Sequence, residues 1–90
     1  MEVERRAFEM SRVLGLLESA GWEELSRRVE QEKMFVVAKK SVADMSVAER
    51  RLVVEETERL ATVFGWTVFS SSIDADVAVV TLTKEMPSEE

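Results

Sequence analysis

Two short acidic stretches are the first parts of this chain whose residue types and spacing suggest chemistry. Asp74 and Asp76 are separated by one residue, as are Glu30 and Glu32, and oxygen-rich acidic loops of this kind can hold Ca²⁺ or Mg²⁺. Neither stretch contains a glycine to shape a loop, and neither matches a calcium-binding motif. We therefore interpret both as the polar tips of turns, and the sequence predicts no metal site.

A run of serines at residues 70–72 supplies hydroxyl groups that could act as nucleophiles. A serine nucleophile needs a neighbouring base, and the chain contains no His, no Cys and no evident lysine partner for this run. Glu55, Glu56 and Glu58 fall mostly on the predicted solvent side of a helix, and Asp44 precedes that helix. The sequence therefore predicts no catalytic residue and no cofactor. It favours a non-enzymatic role over an enzyme that uses Glu, Asp, Arg or Lys.

Two tryptophans could instead bind a ligand. Trp22 and Trp66 each follow a glycine, and the two Gly-Trp steps lie 44 residues apart. A tryptophan that begins a strand can stack on a flat ring, which would place a ligand cleft near these two residues. It more often fills the end of a helix–sheet core, because Trp is mostly buried. The core interpretation is favoured, and a small-molecule-binding or sensor protein with a cleft near the tryptophans is the alternative.

The overall composition excludes several classes of partner. A net charge of −6 and a pI near 4.8 would repel a phosphate backbone, so nucleic acid is not an expected partner. No apolar run approaches the roughly 18 residues of a membrane span, and no signal peptide is apparent. Without Cys for disulfides, the expected location is the cytoplasm. The absence of Asn and the single Gln are typical of thermophiles.

Apolar spacing predicts two amphipathic helices. Residues 3–20 carry an apolar stripe, and Gly21 stands where a left-handed glycine ends a helix. Ser46 and Glu49 have the spacing of a capping box, so the second helix is predicted to begin at Ser46 and to end at Gly65. Three stretches are rich in β-branched and aromatic residues and are predicted strands: residues 34–38, 66–73 and 77–84.

The second half of the chain repeats the first at an offset of 44 residues. Between residues 14 and 40, the identical pairs are Leu16 with Leu60, Gly21 with Gly65, Trp22 with Trp66, Ser26 with Ser70, Val36 with Val80 and Lys40 with Lys84. Residues 22–29 alone also fit a short helix. The repeat identifies them as a strand that pairs with residues 33–40.

This pattern predicts one α+β domain over residues 1–86, with repeats at about 1–40 and 45–84. The expected architecture is a two-layer sandwich of a duplicated αββ unit. Its sheet is four-stranded and mostly antiparallel, with both helices on one face. Residues 87–90 are predicted to form a flexible acidic tail.

Strand alternation assigns each side chain to a face of the sheet. Leu25, Val29, Phe69 and Ile73 share one parity and are predicted to point at the helices, whereas Glu24 is predicted to point away from them. The second strands of the hairpins place an unusually apolar set on that opposite face. These interface candidates are Phe35, Val37, Val77, Val79 and Thr81. Such a patch usually marks an interface; the alternative is that the parity is wrong and these residues are core.

The order helix–strand–strand, repeated once, resembles that of the pterin-4a-carbinolamine dehydratases, which are small dimerising proteins. That family carries an adjacent His pair followed by Pro after the second helix. Here the corresponding stretch is Val63-Phe64-Gly65-Trp66, and the chain has no His. The resemblance therefore implies architecture, and no catalytic residue or dehydratase activity is carried over.

Together these observations predict a non-enzymatic protein that acts through homodimerisation or through binding of another protein. The dimer would join two sheets face to face, or edge to edge into a longer sheet. The pathway and the identity of any partner do not follow from the residues.

Overall fold

A computed structural model describes residues 2–85 of the chain, with side chains from residue 5 onward. The predicted tail at residues 87–90 lies outside the described residues. The elements, in chain order, are α1 (Glu2–Ser19), β1 (Glu23–Glu30), β2 (Lys33–Ser41), α2 (Val47–Val63), β3 (Thr67–Asp74) and β4 (Val77–Glu85). The stretch that was ambiguous between helix and strand is thus the strand β1, as the repeat predicted.

The four strands form one antiparallel sheet in the order β1-β2-β4-β3. Both helices pack on the same face of it, and the predicted α+β class with two αββ units is confirmed. The second strands of the two hairpins, β2 and β4, pair with each other at the centre of the sheet. The first strands, β1 and β3, are therefore its two edges.

The core lies between the helices and the central strands. Alternate residues of β2 and β4 face the helices, and each of these six is fully buried: Met34, Val36, Ala38, Ala78, Val80 and Leu82. The helices contribute a matching set of buried residues, which includes Val13 and Leu17 from α1 and Val53 and Ala61 from α2. The predicted parity of the central strands is thus correct.

Each helix ends in a Schellman motif whose left-handed residue is a glycine. Gly21 has a φ of 94°, and the amide of Trp22 donates a hydrogen bond of 2.9 Å to the carbonyl of Leu17. Gly65 has a φ of 84°, and Trp66 makes the same bond at 3.0 Å to the residue five positions before it. This chain reversal connects each helix to the strand that follows it and places each indole in the core.

A lysine from the second strand of each hairpin closes the preceding helix end. The Nζ atom of Lys40 donates a 2.7 Å hydrogen bond to the carbonyl of Ala20, and Lys84 donates one of the same length to Phe64. The lysine stems pass directly over the glycines, so that a Cβ atom at Gly21 would lie 3.2 Å from the Cε atom of Lys40. Helix end, glycine and lysine therefore form one unit that recurs at the 44-residue offset.

The start of α2 has the predicted capping box. The Oγ atom of Ser46 accepts from the amide of Glu49 at 3.2 Å, and the Glu49 carboxylate accepts from the Ser46 amide at 2.8 Å. One turn later, Arg50 donates to the carbonyls of Met45 at 3.1 Å and of Ala75 at 2.7 Å. Because Ala75 is the tip of the second hairpin, Arg50 anchors that tip to the helix start.

The prediction that Leu25 and Phe69 point at the helices is wrong. The pairing register shifts at Leu25 in β1 and at Phe69 in β3, which marks a β-bulge at each position. A bulge adds one residue to a strand, so the residues before it and the residues after it have opposite parity. Both side chains are consequently exposed, Leu25 by 50% and Phe69 by 63%.

The same bulge corrects the predicted face of Glu24. Glu24 pairs with Ala38, whose side chain is in the core, so Glu24 lies on the helix side of the sheet. Beyond the bulge the original prediction holds, because Val29 pairs with Met34 and therefore faces the helices. Ile73, its equivalent in β3, does the same, and both remain partly exposed at the edges of the sheet.

The register of the two hairpins is the same at the 44-residue offset. Glu23 pairs with Lys39 in the first hairpin, and Thr67 pairs with Thr83 in the second. The bulges, the Schellman motifs and the capping lysines recur at the same offset. The αββ arrangement is therefore duplicated in detail as well as in element order.

Candidate protein-interaction face

The side of the sheet that carries no helix is the candidate site, and we call it the outer face. Val37 pairs with Thr81 at its centre, between the two middle strands. The two residues are equivalent at the 44-residue offset, so the approximate two-fold axis of the repeat passes between them. All five interface candidates lie on this face: Phe35, Val37, Val77, Val79 and Thr81.

Phe35 is the best buried residue of the outer face. It is 7% exposed, although it lies opposite the helices and outside the core that they cover. The ring of Phe69 meets it edge to face, with 5.4 Å between centroids and 81° between planes, and the guanidinium of Arg28 lies 4.5 Å from its centroid. We call Phe35, Phe69 and Arg28 the aromatic cluster. Cation–π and edge-to-face contacts of this kind each contribute about 0.5–1.5 kcal/mol.

Apolar surface continues from the aromatic cluster across the centre of the sheet. Val37, Val79 and Thr81 are half-buried by their neighbours, and Val77 is 39% exposed at the far end of β4. The bulge residues add Phe69 on one edge of the sheet and half-exposed Leu25 on the other. The β1 and β3 residues paired with this centre carry hydroxyl groups without charge: Ser26, Ser70 and Ser72.

Charged residues of both signs surround this centre. Arg28 bonds Glu30 at 2.9 Å, and Lys39 lies 3.9 Å from Glu23. These pairs are solvent-exposed, and such pairs contribute only about 0–1 kcal/mol to stability. An uncharged centre with a charged periphery is the usual anatomy of a protein interface.

A third ion pair occupies the helix side of β1. Arg27 donates to both carboxylate oxygens of Glu24, at 2.7 and 3.0 Å. These hydrogen bonds lower the pKa of the Glu24 carboxyl below its ordinary value and raise the pKa of Arg27. The edge strand β1 is thus charged on both of its faces.

The two tryptophans are core residues. Trp22 is 4% exposed and Trp66 is fully buried, and both pack with the helix-side core. The Nε1 atom of Trp66 has no hydrogen-bond partner among the described residues. The predicted ligand cleft gains no support from this packing, because neither ring is presented to a ligand.

The acidic tips and the serines do not come together into one site. Ser70 and Ser72 lie on the outer face, whereas Ser71 pairs with Val80 and lies on the helix side. Asp76 is 3.4 Å from the guanidinium of Arg50. Within residues 2–85, no three acidic residues are grouped closely enough to hold a metal ion.

Alternation placed Arg28 on the outer face correctly, but sequence reasoning missed its contact with Phe35 and missed Leu25 and Phe69 as contributors to this face. No local signal marks the bulges, because neither strand has a glycine at that point and the apolar residues fit an unbroken alternation. Once one bulge is known, however, the 44-residue offset locates the other.

Comparison with protein families, with curated proteins and with solved structures finds no match to this chain. None of the described helices is both long and apolar enough to cross a membrane.

Proposed function

We propose that this is a non-enzymatic protein that acts through homodimerisation, with the outer face of one copy packed against that of another. The observation that carries the proposal is the aromatic cluster and the adjoining apolar centre at Val37 and Val79, on a side of the sheet that no helix covers. Antiparallel sheets commonly leave one face to solvent, and such a face is then polar. The centre of the outer face is instead apolar, which supports an interface there.

The size of the outer face suits a dimer. Four strands about 4.8 Å apart and about eight residues long, at roughly 3.3 Å per residue, cover a flat footprint on the order of 500 Å². Side-chain relief enlarges this area toward the roughly 800 Å² that each partner buries in a standard interface. Two such faces would stack about 10 Å apart, as in a β-sandwich.

The charges around the centre also suit two copies of one chain. A two-fold axis makes the same patch face itself, so the patch must be complementary to itself. The periphery carries Arg28 and Lys39 beside Glu30 and Glu23. A rotated copy can therefore place cations opposite carboxylates, while the uncharged centre packs without a buried charge.

Sedimentation velocity across a wide concentration range tests the proposal. We expect the wild-type chain to sediment as a dimer at high concentration and Val37→Lys to remain monomeric, because a lysine at the centre would be buried without a partner. Val63→Lys is the matched control, since Val63 is 75% exposed on α2 and far from the outer face. A wild-type monomer at millimolar concentration would contradict the proposal.

Origin and setting form part of the same proposal. We infer that a tandem duplication of a 44-residue αββ segment produced the chain, which the matching registers of the two hairpins support. The lack of Cys supports a cytoplasmic location, and the lack of Asn supports a thermophilic source. A midpoint of thermal unfolding above about 90 °C would support that source, and one in the mesophilic range of about 45–65 °C would contradict it.

A further inference from the structure

A groove separates α2 from the edge strand β3 on the helix side of the sheet. Its volume is about 490 Å³, and its walls include Val47, Arg51 and Val54 from the helix and Ser71 and Ile73 from the strand. Val47 is 77% exposed and Ile73 39% exposed, so both offer apolar surface to a ligand. The groove is therefore an open, largely apolar channel with one wall made by the edge of the sheet.

The edge strand that borders this groove carries no charge that would oppose pairing with another chain. β3 ends the sheet order, and no strand lies beyond it among residues 2–85. From residue 67 to residue 73 it carries no charged side chain. Charges on an edge strand are a common device that prevents another chain from adding to the sheet. β3 lacks that device along the whole length of the groove.

The other edge provides an internal comparison, because β1 has the same backbone path and the same bulge position. Its charged residues are Glu23, Glu24, Arg27, Arg28 and Glu30, and they form ion pairs on both faces of the strand. The residue of β1 that is equivalent to Ser71 is Arg27. Both edge strands have a bulge, so the difference between them is that β1 is also protected by charge and β3 is not.

We propose that an extended peptide segment of a partner protein binds to β3 as a fifth strand of the sheet. Ser71 and Ile73 face the helix side, so alternate side chains of an added strand would enter the groove beside them. Val47 and Val54 form the opposite wall and select apolar side chains. The main-chain hydrogen bonds would run along the exposed edge of β3.

Charge at the rim of the groove adds a second requirement on the peptide. Arg51 is exposed on α2, and Arg50 beside it is already bonded to the hairpin tip. Arg51 can meet a carboxylate of the incoming segment, which must lie away from Glu55, one turn further along the same wall of the groove. The expected ligand is an extended segment with apolar residues at alternate positions and one Asp or Glu next to them. This site is separate from the outer face and does not rest on the dimer.

Fluorescence polarisation tests this proposal with a labelled eight-residue peptide that alternates valine and threonine and contains one aspartate. We expect saturable binding in the micromolar to millimolar range. The same peptide with N-methyl groups on its pairing amides should bind at least tenfold more weakly, because it cannot complete the ladder. No binding of the first peptide at 1 mM protein, or equal binding of both peptides, would overturn the proposal.

Three variants locate the site. Ser71→Arg places on β3 the residue that β1 carries at the equivalent position, so it is compatible with the fold and should weaken binding at least tenfold. Arg51→Glu should weaken binding of the aspartate peptide. It should strengthen binding of a peptide that has lysine in place of the aspartate. Ala7→Arg is the control for Ser71→Arg. It adds one arginine on α1, at the position equivalent to Arg51, and should change the affinity for neither peptide. Unchanged affinity of Ser71→Arg would assign the peptide to another surface.

Amide hydrogen exchange separates this site from the dimer. Peptide should slow exchange in β3 and leave β1 unchanged, and it should do so in the monomeric Val37→Lys variant as well. If Ser71→Arg instead abolished dimerisation in the absence of peptide, β3 would pair with a second copy and the peptide proposal would fail.

Discussion

Phe69 meets Phe35 edge to face across β4, on the side of the sheet away from both helices. The contact exists because the bulge in β3 turns Phe69 out of the core and onto the outer face. A 63% exposed ring thus covers a 7% exposed one. Both rings lie outside the core that the helices cover and belong to the surface that we propose as the dimer interface.

We expect Phe69→Ala to weaken the dimer at least tenfold while it lowers the free energy of unfolding by only about 1 kcal/mol, since the ring is mostly exposed. Sedimentation and urea unfolding measure the two effects. Phe8→Ala is the matched control, because Phe8 is 58% exposed on α1 and the guanidinium of Arg12 lies 5.4 Å from its ring centroid. Equal effects of the two substitutions on association would count against the outer face.

The dimer should also tighten when salt is added. Each copy carries a net charge of −6, so association brings two like charges together. Raising the salt concentration from 0.01 M to 0.15 M shortens the Debye length from about 30 Å to about 8 Å, and this screening weakens the repulsion. We expect the dissociation constant to fall several-fold between these conditions. A rise would mean that the peripheral ion pairs, rather than the apolar centre, dominate association.

Sequence patterns were sufficient for the elements whose signals are periodic or local. Three features of this kind are the alternation in β2 and β4, the capping box at Ser46 and the glycine stops at Gly21 and Gly65. Each depends on residues that are close together in the sequence. The repeat added information that no local pattern contained. Residues 22–29 alone also fit a short helix, and only their alignment with the predicted strand at residues 66–73 identified β1 as a strand.

The bulges show where sequence reasoning ends. Leu25 and Phe69 are large apolar residues at positions of core parity, so alternation assigns them to the core. Their true positions depend on the register of pairing with the neighbouring strand, which no pattern within β1 or β3 alone shows. The cover of Phe35 by Arg28 has the same origin, since it needs two strands in one defined register.

The glycines at the helix ends should not tolerate a side chain. Gly65→Ala should lower the free energy of unfolding by about 1–2 kcal/mol, because alanine is strained in the left-handed region. Its Cβ atom would also press on Lys84 at 3.3 Å. Gly15→Ala is the control within α1, where nothing lies within 4 Å, and it should raise stability by about 0.5–1 kcal/mol. Urea unfolding followed by tryptophan fluorescence measures both, and equal signs would contradict the prediction.

Lys84 should matter more to stability than its equivalent Lys40. Its Nζ atom bonds both the Phe64 carbonyl, at 2.7 Å, and the Glu9 carboxylate, at 2.9 Å, whereas Lys40 bonds only the Ala20 carbonyl among the contacts described. Lys84→Met would leave the Glu9 carboxylate, whose side chain is 15% exposed, without its cation. We expect a loss of about 2–3 kcal/mol, against about 1 kcal/mol for Lys40→Met.

A second substitution distinguishes the ion pair from the helix-end bond. In the Lys84→Met background, Glu9→Gln should restore part of the lost stability, because it removes the unpaired charge. No recovery would assign the whole effect to the Phe64 carbonyl.

The Glu24–Arg27 pair should make a small, acid-sensitive contribution to stability. Hydrogen bonds from Arg27 lower the pKa of Glu24 in the folded chain, so the contribution is complete above the ordinary glutamate pKa and is lost as the pH falls through the lowered value. Because the side chains are 27% and 46% exposed, we expect only about 0.2–1 kcal/mol at pH 7.

Urea unfolding of wild type, Arg27→Met and Glu24→Gln at pH 7 and pH 3 measures this contribution. The difference in stability between the variants and wild type should be smaller at pH 3 than at pH 7. A difference that is undiminished in acid would show that Arg27 acts through packing of its aliphatic stem rather than through the ion pair.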